Sequence, residues 1–256
     1  MKEQSINTLF IGKVAIHLQT VDSTNRFAQE YISKSRPIEG TVIRADEQHA
    51  GRGQLGSKWM STPGLNLTLS LILRPKFLLA RQQFLLSAAM SLGVYDFLNQ
   101  FDLPAPLSIK WPNDIYVGNK KIGGMLIENT LRSNYLDWSI IGLGININQI
   151  DFDARLPNPT SLAKELNKKI KINDCLFQLY SALERQCLRM QAGTAESIFE
   201  SYTQKLYQLN KPAFYKIVAE DRIVEGILKG VDETGQLLLA YEEKTVAFDL
   251  KKVRFC

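Results

Sequence analysis

A chain of 256 residues with 45% hydrophobic and 22% charged residues is sized for one large globular domain, or for a large and a small one. Its net charge of +5 comes from 31 basic and 26 acidic residues, and residues 211–256 hold eight of each sign, so the surplus lies wholly before Lys211; this suits an anionic ligand but is too scattered for a duplex-DNA reader. Three cysteines (Cys175, Cys187, Cys256) and two histidines (His17, His49) without metal-ligand spacing argue against disulfides, zinc and a Cys–His nucleophile, while the short apolar run in Met1–Lys13 and the lack of any membrane-length run point to the cytoplasm and away from membranes.

Asp22-Ser23-Thr24-Asn25 opens a helical pattern, with Phe27, Tyr31 and Ile32 on one face and Pro37 beyond its end. One hydroxyl or carboxylate there is expected to cap the helix, and the remaining polar groups are free to meet a polar heterocycle. Thr41–Asp46 reads as a strand that delivers Gln48 and His49 to the stretch Ala50-Gly51-Arg52-Gly53-Gln54-Leu55-Gly56-Ser57-Lys58-Trp59. Its glycines spell G-x-G-x-x-G, but a dinucleotide fold needs a helix at once and an acid about 20 residues later. Ser57 to Gly64 has no helical period, and Lys76 stands about where the acid belongs. Ser57-Lys58 also reverses the Lys-Ser/Thr order of a P-loop. Two readings survive: an anion-binding loop with an indole for stacking, or a glycine-rich surface hairpin that carries cations.

Leu65–Leu71 alternates as a half-buried strand with its leucines toward the core, and Asn66 near its start either meets a ligand or is a plain exposed asparagine. Phe77–Phe101 reads as the main core helix, or as a pair broken at Gly93. Leu107–Trp111 is a strand, Pro112-Asn113-Asp114 a turn, and Ile115–Val117 and Lys120–Glu128 a hairpin closed by Gly118-Asn119. Asp114 and Lys121 therefore fall on paired strands near one sheet end. Alone, such an aspartate is structural and such a lysine solvated; Gly123-Gly124 after the lysine lets a ligand lie against the backbone. Tyr135–Asn148 is a further glycine-bearing strand, and helices follow at Ser161–Asn167, from Asn173-Asp174 to Met190, and at Ala195–Leu209. Asn210-Lys211-Pro212 separates a domain of residues 1–210 from one of residues 211–256, whose short strands and Asp232-Glu233-Thr234-Gly235 turn suggest a small β-barrel.

Gly51-Arg52-Gly53 with Trp59, Lys110-Trp111-Pro112-Asn113-Asp114 with Lys121 and Gly123, and Gly142-Leu143-Gly144-Ile145-Asn146 resemble the biotin protein ligases. Asp22–Asn25 in front and the small β unit behind fit as well, so the resemblance spans essentially the whole chain. The Lys-Trp-Pro-Asn-Asp segment with its following lysine is the specific part. The resemblance implies an α/β (α+β) fold: a mixed sheet with flanking helices, as in class II aminoacyl-tRNA synthetase-like biotin/lipoate ligases, plus an SH3-like C-terminal β-barrel. It also implies a reaction in which biotin and ATP give biotinyl-5′-adenylate and pyrophosphate, and the adenylate acylates a lysine on a biotin carboxyl carrier protein.

By the same resemblance, Ser23, Thr24, Asn25 and Gln48 hydrogen-bond the ureido ring, and Arg52, Gly53, Gln54, Lys121, Gly123 and Gly124 complete the biotin side. Gly51, Gly53, Gln54, Trp59, Asn66, Asn113, Lys121 and Asn146 form the ATP side. Lys121, Arg52 and Asp114 are the catalytic candidates, Lys121 bridging carboxylate and phosphate. Asp114 either holds Mg²⁺ against the ATP phosphates or orients and deprotonates the acceptor lysine. Gln54 and Ser57 stand where the family often carries cations, which implies a looser hold on the adenylate unless Lys58 compensates. The loop is expected to order on ligand binding. Only about 20 residues precede Asp22, too few for the winged helix-turn-helix of the family's repressors, so operator binding is not expected. The rivals are a lipoate–protein ligase and a non-catalytic biotin-binding regulatory module, which would need neither Lys121 nor Asp114. Both monomers and homodimers fit.

Overall fold

The computed structural model describes residues 8–256, so the first seven residues of the Met1–Lys13 stretch lie outside the described residues. The larger of two sheets contains β1 (Ala15–Val21), β2 (Val42–Gln48), β3 (Leu67–Leu73), β4 (Leu107–Lys110), β5 (Asp114–Val117), β6 (Lys120–Arg132) and β7 (Tyr135–Ile145). Its order is β1-β2-β3-β7-β6-β5-β4. Only β1 and β2 run parallel, so the sheet is mixed as expected. β1 escaped the sequence reading, although its half-buried Ile16 and Leu18 alternate with exposed residues.

Helix α1 (Thr24–Ser35) covers one face of this sheet, packing Ala28 with Ile43, Ile72, Trp138 and Ile140. Helices α2 (Gln83–Leu98), α4 (Ile172–Gln191) and α5 (Ala195–Gln204) cover the other, and the short α3 (Leu162–Leu166) is capped by the Ser161 hydroxyl. Because both faces are covered, β3 is buried along its whole length and is not the half-exposed strand its alternation suggested. Leu67, Leu69, Leu71 and Leu73 enter the helical core, while Ile72 faces the α1 side.

Gly93 lies inside a continuous α2 rather than breaking it. A β-carbon there would stand 2.9 Å from Leu183 Cδ2 and 3.1 Å from its Cα, so the glycine permits a close crossing of α2 and α4. The third predicted helix stops at Gln204, because the chain beyond it runs beside β4: Ile109 N–H donates to Lys205 and Tyr207 N–H to Ile109, each at 2.8 Å.

Glu184 of α4 is only 5% exposed and accepts the backbone N–H groups of Leu9, Phe10 and Ile11 at 2.5, 2.8 and 3.0 Å. Its replacement strands these donors, at about 1–3 kcal/mol for each buried one. Glu184→Ala is therefore expected to lower the thermal midpoint by roughly 5–10 °C. An unchanged midpoint in calorimetry would contradict that anchoring role.

The second sheet contains β8 (Pro212–Ile217), β9 (Arg222–Val231), β10 (Leu237–Tyr241), β11 (Lys244–Phe248) and β12 (Val253–Phe255), in the order β11-β10-β9-β8-β12. All of its pairs are antiparallel. The expected SH3-like barrel does not form. Closure needs the two outermost strands to bond each other, but among the described residues β12 turns back onto β8 while β11 bonds only β10, leaving an open sheet with two edges. Tyr215, Ile217, Leu228, Leu237 and Leu239 join the same apolar cluster as α2, α4 and α5. The β9–β10 turn also docks on the larger sheet's side: Gly235, at φ +92°, lies against the Phe84 ring and accepts the Trp111 indole N–H at 2.9 Å.

Candidate functional site

Two rows of paired residues make the floor of a cavity of 270 Å³. Strand register sets Asp114, Gly124, Gly144 and Thr68 side by side across β5, β6, β7 and β3. A second row runs Leu126, Gly142 and Ser70, of which Ser70 is fully buried and lies outside the lining. Residues in register share a face, and each row carries glycine at its middle, which lowers the floor where side chains would otherwise fill it. A β-carbon on Gly142 would lie 2.3 Å from Asn25 Oδ1, one on Gly144 2.3 Å from Trp59 Cε2, and one on Gly124 2.6 Å from Asp114 Oδ1.

Ser23, Thr24, Asn25 and Gln48 line one end. They form a network rather than a helix cap. Ser23 sits at the N-cap but makes no capping bond; the first helical N–H, that of Thr24, donates instead to Gln48 Oε1 at 2.7 Å, as does the Thr24 hydroxyl at 3.0 Å. Gln48 on β2 thus does the work expected of the tetrad, and the Ser23 hydroxyl is left for other partners. The Ser70 hydroxyl lies 2.6 Å from Asn25 Oδ1 and 2.8 Å from Thr24 Oγ1. Asn25 Nδ2 donates to Glu128 Oε2 at 2.7 Å.

The glycine loop is a short hairpin, as one of the two readings had it, and it forms part of the cavity wall. Arg52 pairs with Lys58, Gly53 N–H donates to Ser57 at 2.7 Å, and Trp59 N–H donates to Gly51 at 3.0 Å. These bonds occupy two of the N–H groups expected to face an anion. Arg52, Gly53, Gln54, Ser57, Lys58 and Trp59 line the cavity, with the Trp59 indole against Gly144 and its Nε1 without a hydrogen-bond partner among the described residues. Arg52 reaches Glu128 at 3.1 Å, so one carboxylate joins the hairpin to Asn25 across the mouth.

At the other end Lys121 Nζ meets Asp114 Oδ2 at 2.6 Å, each side chain 32% exposed. The segment preceding and including Asp114 is anchored residue by residue. Lys110 sits among aromatic rings, Trp111 bonds Gly235, the Pro112 carbonyl accepts from the Tyr202 hydroxyl at 2.7 Å, and Asn113 Nδ2 donates to the Met125 carbonyl at 2.9 Å. Burial and the Asp114 charge push the Tyr116 phenol up to about 12, with Tyr207 contributing.

Five of the residues named from sequence lie outside the lining. Gly51 and Gly123 are backbone positions beside it, where a β-carbon would strike the Trp59 and Gly144 carbonyls at 2.3 and 2.9 Å. Asn66 bonds Gln149 and the Ile147 N–H; Asn113 bonds Met125; Asn146 Nδ2 donates to the Thr160 carbonyl at 2.9 Å. Thr160 N–H in turn donates to the Lys121 carbonyl at 2.9 Å, so Asn146 connects to the site through Lys121's own strand. Sequence reasoning missed Ser70 and Glu128. Counting by twos from Gly124 puts Glu128 on the cavity face, and the leucines of β3 put Ser70 on the face opposite their own.

The biotin/lipoate A/B protein ligase family matches residues 17–146, which carry most of β1, all of β2 to β7 and the whole cavity lining. A bifunctional ligase/repressor BirA of Bacillus spizizenii is 36% identical over 93% of this chain and 73% of its own length. A biotin–[acetyl-CoA-carboxylase] ligase of Paracoccus denitrificans is 30% identical over 87% of this chain and 92% of its own. The structure of a biotin protein ligase from Aquifex aeolicus in complex with biotin and ATP superposes with a TM-score of 0.79 at 27% identity, covering 95% of this chain and 100% of that one. On this evidence the chain belongs to the biotin/lipoate A/B protein ligase family, among its biotin protein ligases.

Proposed function

We propose that the chain joins biotin to ATP, releasing pyrophosphate, and then passes the biotinyl group to a lysine of a biotin carboxyl carrier protein. The observation that carries this reading is the continuity of one cavity from a polar, uncharged end at Ser23, Thr24, Asn25 and Gln48 to the Lys121–Asp114 pair. The first end suits a neutral ureido ring. At the second, a carboxylate oxygen must approach an anionic α-phosphate and form a P–O bond as the bond to pyrophosphate breaks. Lys121 offsets the repulsion between those anions, and Arg52 adds charge once it leaves Glu128 for the ligand carboxylate. Trp59, in the hairpin over Gly144, supplies a face for the adenine.

In the second step an acceptor amine attacks the acyl carbon, AMP leaves, and the amine's proton passes to a base. Asp114 is the carboxylate at that end of the cavity and orients this amine. Among the described residues no cluster of three or more metal-ligating side chains occurs. Asp114 alone fits Mg²⁺ arriving on ATP, since that ion commonly binds one or two carboxylates plus phosphate oxygens; when bound it would neutralise phosphate charge. Asn66, Asn113 and Asn146 act by holding strand ends, Asn146 through Thr160. Gln54 and Ser57 supply no cation to the loop, which favours faster loss of the adenylate unless Lys58, which also lines the cavity, compensates.

Residues 1–210 form the catalytic unit and 211–256 the smaller one. No helix among the described residues is long and apolar enough to cross a membrane; the proposed reaction is placed in the cytoplasm with its carrier protein. A monomer or a homodimer is compatible with this chemistry.

Exchange of labelled pyrophosphate into ATP tests the reading. Exchange that depends on biotin and not on lipoate is the expected result. Exchange with lipoate alone selects a lipoate ligase, and none with either selects a binding module.

A further inference from the structure

Lys110 and Asp114 are direct cross-strand partners in β4 and β5, so their side chains leave the same face of the sheet. Two ammonium groups thus flank one carboxylate, yet only Lys121 pairs with it. Among the described residues Lys110 has no ion-pair partner. Its Nζ stands 5.0 Å from the ring centre of Tyr116, 5.7 Å from that of Tyr207 and 5.0 Å from that of Phe255.

The box is braced from several directions. Tyr116 and Tyr207 lie 5.4 Å apart, Tyr207 and Phe255 6.1 Å, and Phe255 leans on Tyr215 at 5.2 Å. The Tyr207 hydroxyl bonds Asn119 at 2.9 Å. Three segments build the box: β5, the stretch after α5, and β12 of the second sheet. Burial lowers the Lys110 pKa, the Asp114 charge opposing and Lys121 reinforcing that shift. An ammonium in this position is attracted by the ring faces, and losing them would send it toward the nearest anion, the carboxylate across the hairpin.

We propose that the Tyr116–Tyr207–Phe255 box positions Asp114 for acyl transfer: by holding the Lys110 ammonium over its rings, it keeps a second cation off the carboxylate that the incoming amine must reach. Phe255 does not line the cavity, so the second sheet acts on the transfer step from outside it. This inference rests on the reading of Asp114 given above.

The test compares Phe255→Leu, Lys110→Met and the double variant in the full chain, with a biotin carboxyl carrier domain as acceptor. Phe255→Leu keeps apolar bulk and removes the ring. It is expected to lower kcat/KM for the carrier about tenfold, with pyrophosphate exchange within twofold of the starting enzyme. Adding Lys110→Met is expected to restore most of the loss, because the competing cation is gone. Tyr207→Leu gives a smaller loss with the same rescue, and serves if Phe255→Leu does not fold.

A double variant as slow as Phe255→Leu, or slower, overturns the proposal, since a packing role for the ring cannot be rescued by removing a lysine. Asp114→Asn separates the two readings. If it leaves transfer untouched, the assignment of Asp114 fails; if it slows transfer while Lys110→Met gives no rescue, the box alone fails.

Discussion

Lys121→Met is expected to slow biotinyl-adenylate formation by roughly 10²- to 10³-fold, the usual cost of removing one preorganised group that stabilises developing negative charge. Methionine keeps an unbranched apolar stem and removes the ammonium. The loss is compounded by what remains: Asp114, 2.6 Å from Lys121 Nζ, would face two anionic reactants without its partner. Biotin affinity should change far less, because in the proposed reading the ureido ring lies against Ser23, Thr24, Asn25 and Gln48, which line the cavity away from Lys121. Single-turnover adenylate formation and equilibrium biotin binding measured on one preparation separate these effects. Equal losses in both would mean that Lys121 serves binding alone.

Gly124→Ala is expected to lower the overall labelling rate by about 10²-fold, the scale set by an ångström-sized misplacement of reacting groups. The added methyl would stand 2.6 Å from Asp114 Oδ1 and 3.3 Å from Lys121 Nζ, so the pair must separate or swing. Gly124 is not at positive φ, so no backbone strain accompanies the change and the sheet should hold. A thermal midpoint near that of the unmodified chain, with activity lost, is the expected pattern. Retained activity would show that the pair tolerates displacement.

Much of the site was legible because it is built on strands, where a period of two and a hairpin turn fix which residues face one another. The turn at Gly118-Asn119 put Asp114 and Lys121 on paired strands; the register then sets Lys121 opposite Tyr116 and, past a bulge, Asp114 opposite Gly124, and the two side chains meet at 2.6 Å. The three asparagines were harder. An asparagine near a ligand and one that ties strand ends look alike in sequence, and Asn66, Asn113 and Asn146 all spend donors on neighbouring backbone or on Gln149. Ser70 was hidden by the alternation of β3, since a serine between leucines reads as solvent-facing until α1 is known to cover it. The C-terminal unit failed for a different reason. Strand number and turn residues suggested a barrel, but closure depends on which strand the last one pairs with, and nothing local in Val253–Phe255 specifies β8 over β11.

In the proposed reaction one cavity serves both half-reactions, with adenylate formed and consumed against the same Lys121–Asp114 corner. Mass spectrometry of a biotin carboxyl carrier domain incubated with the chain, ATP and biotin tests it most directly. One amide-linked biotin on a single lysine, absent without ATP, is the predicted result. A carrier that stays unmodified while adenylate accumulates would contradict it.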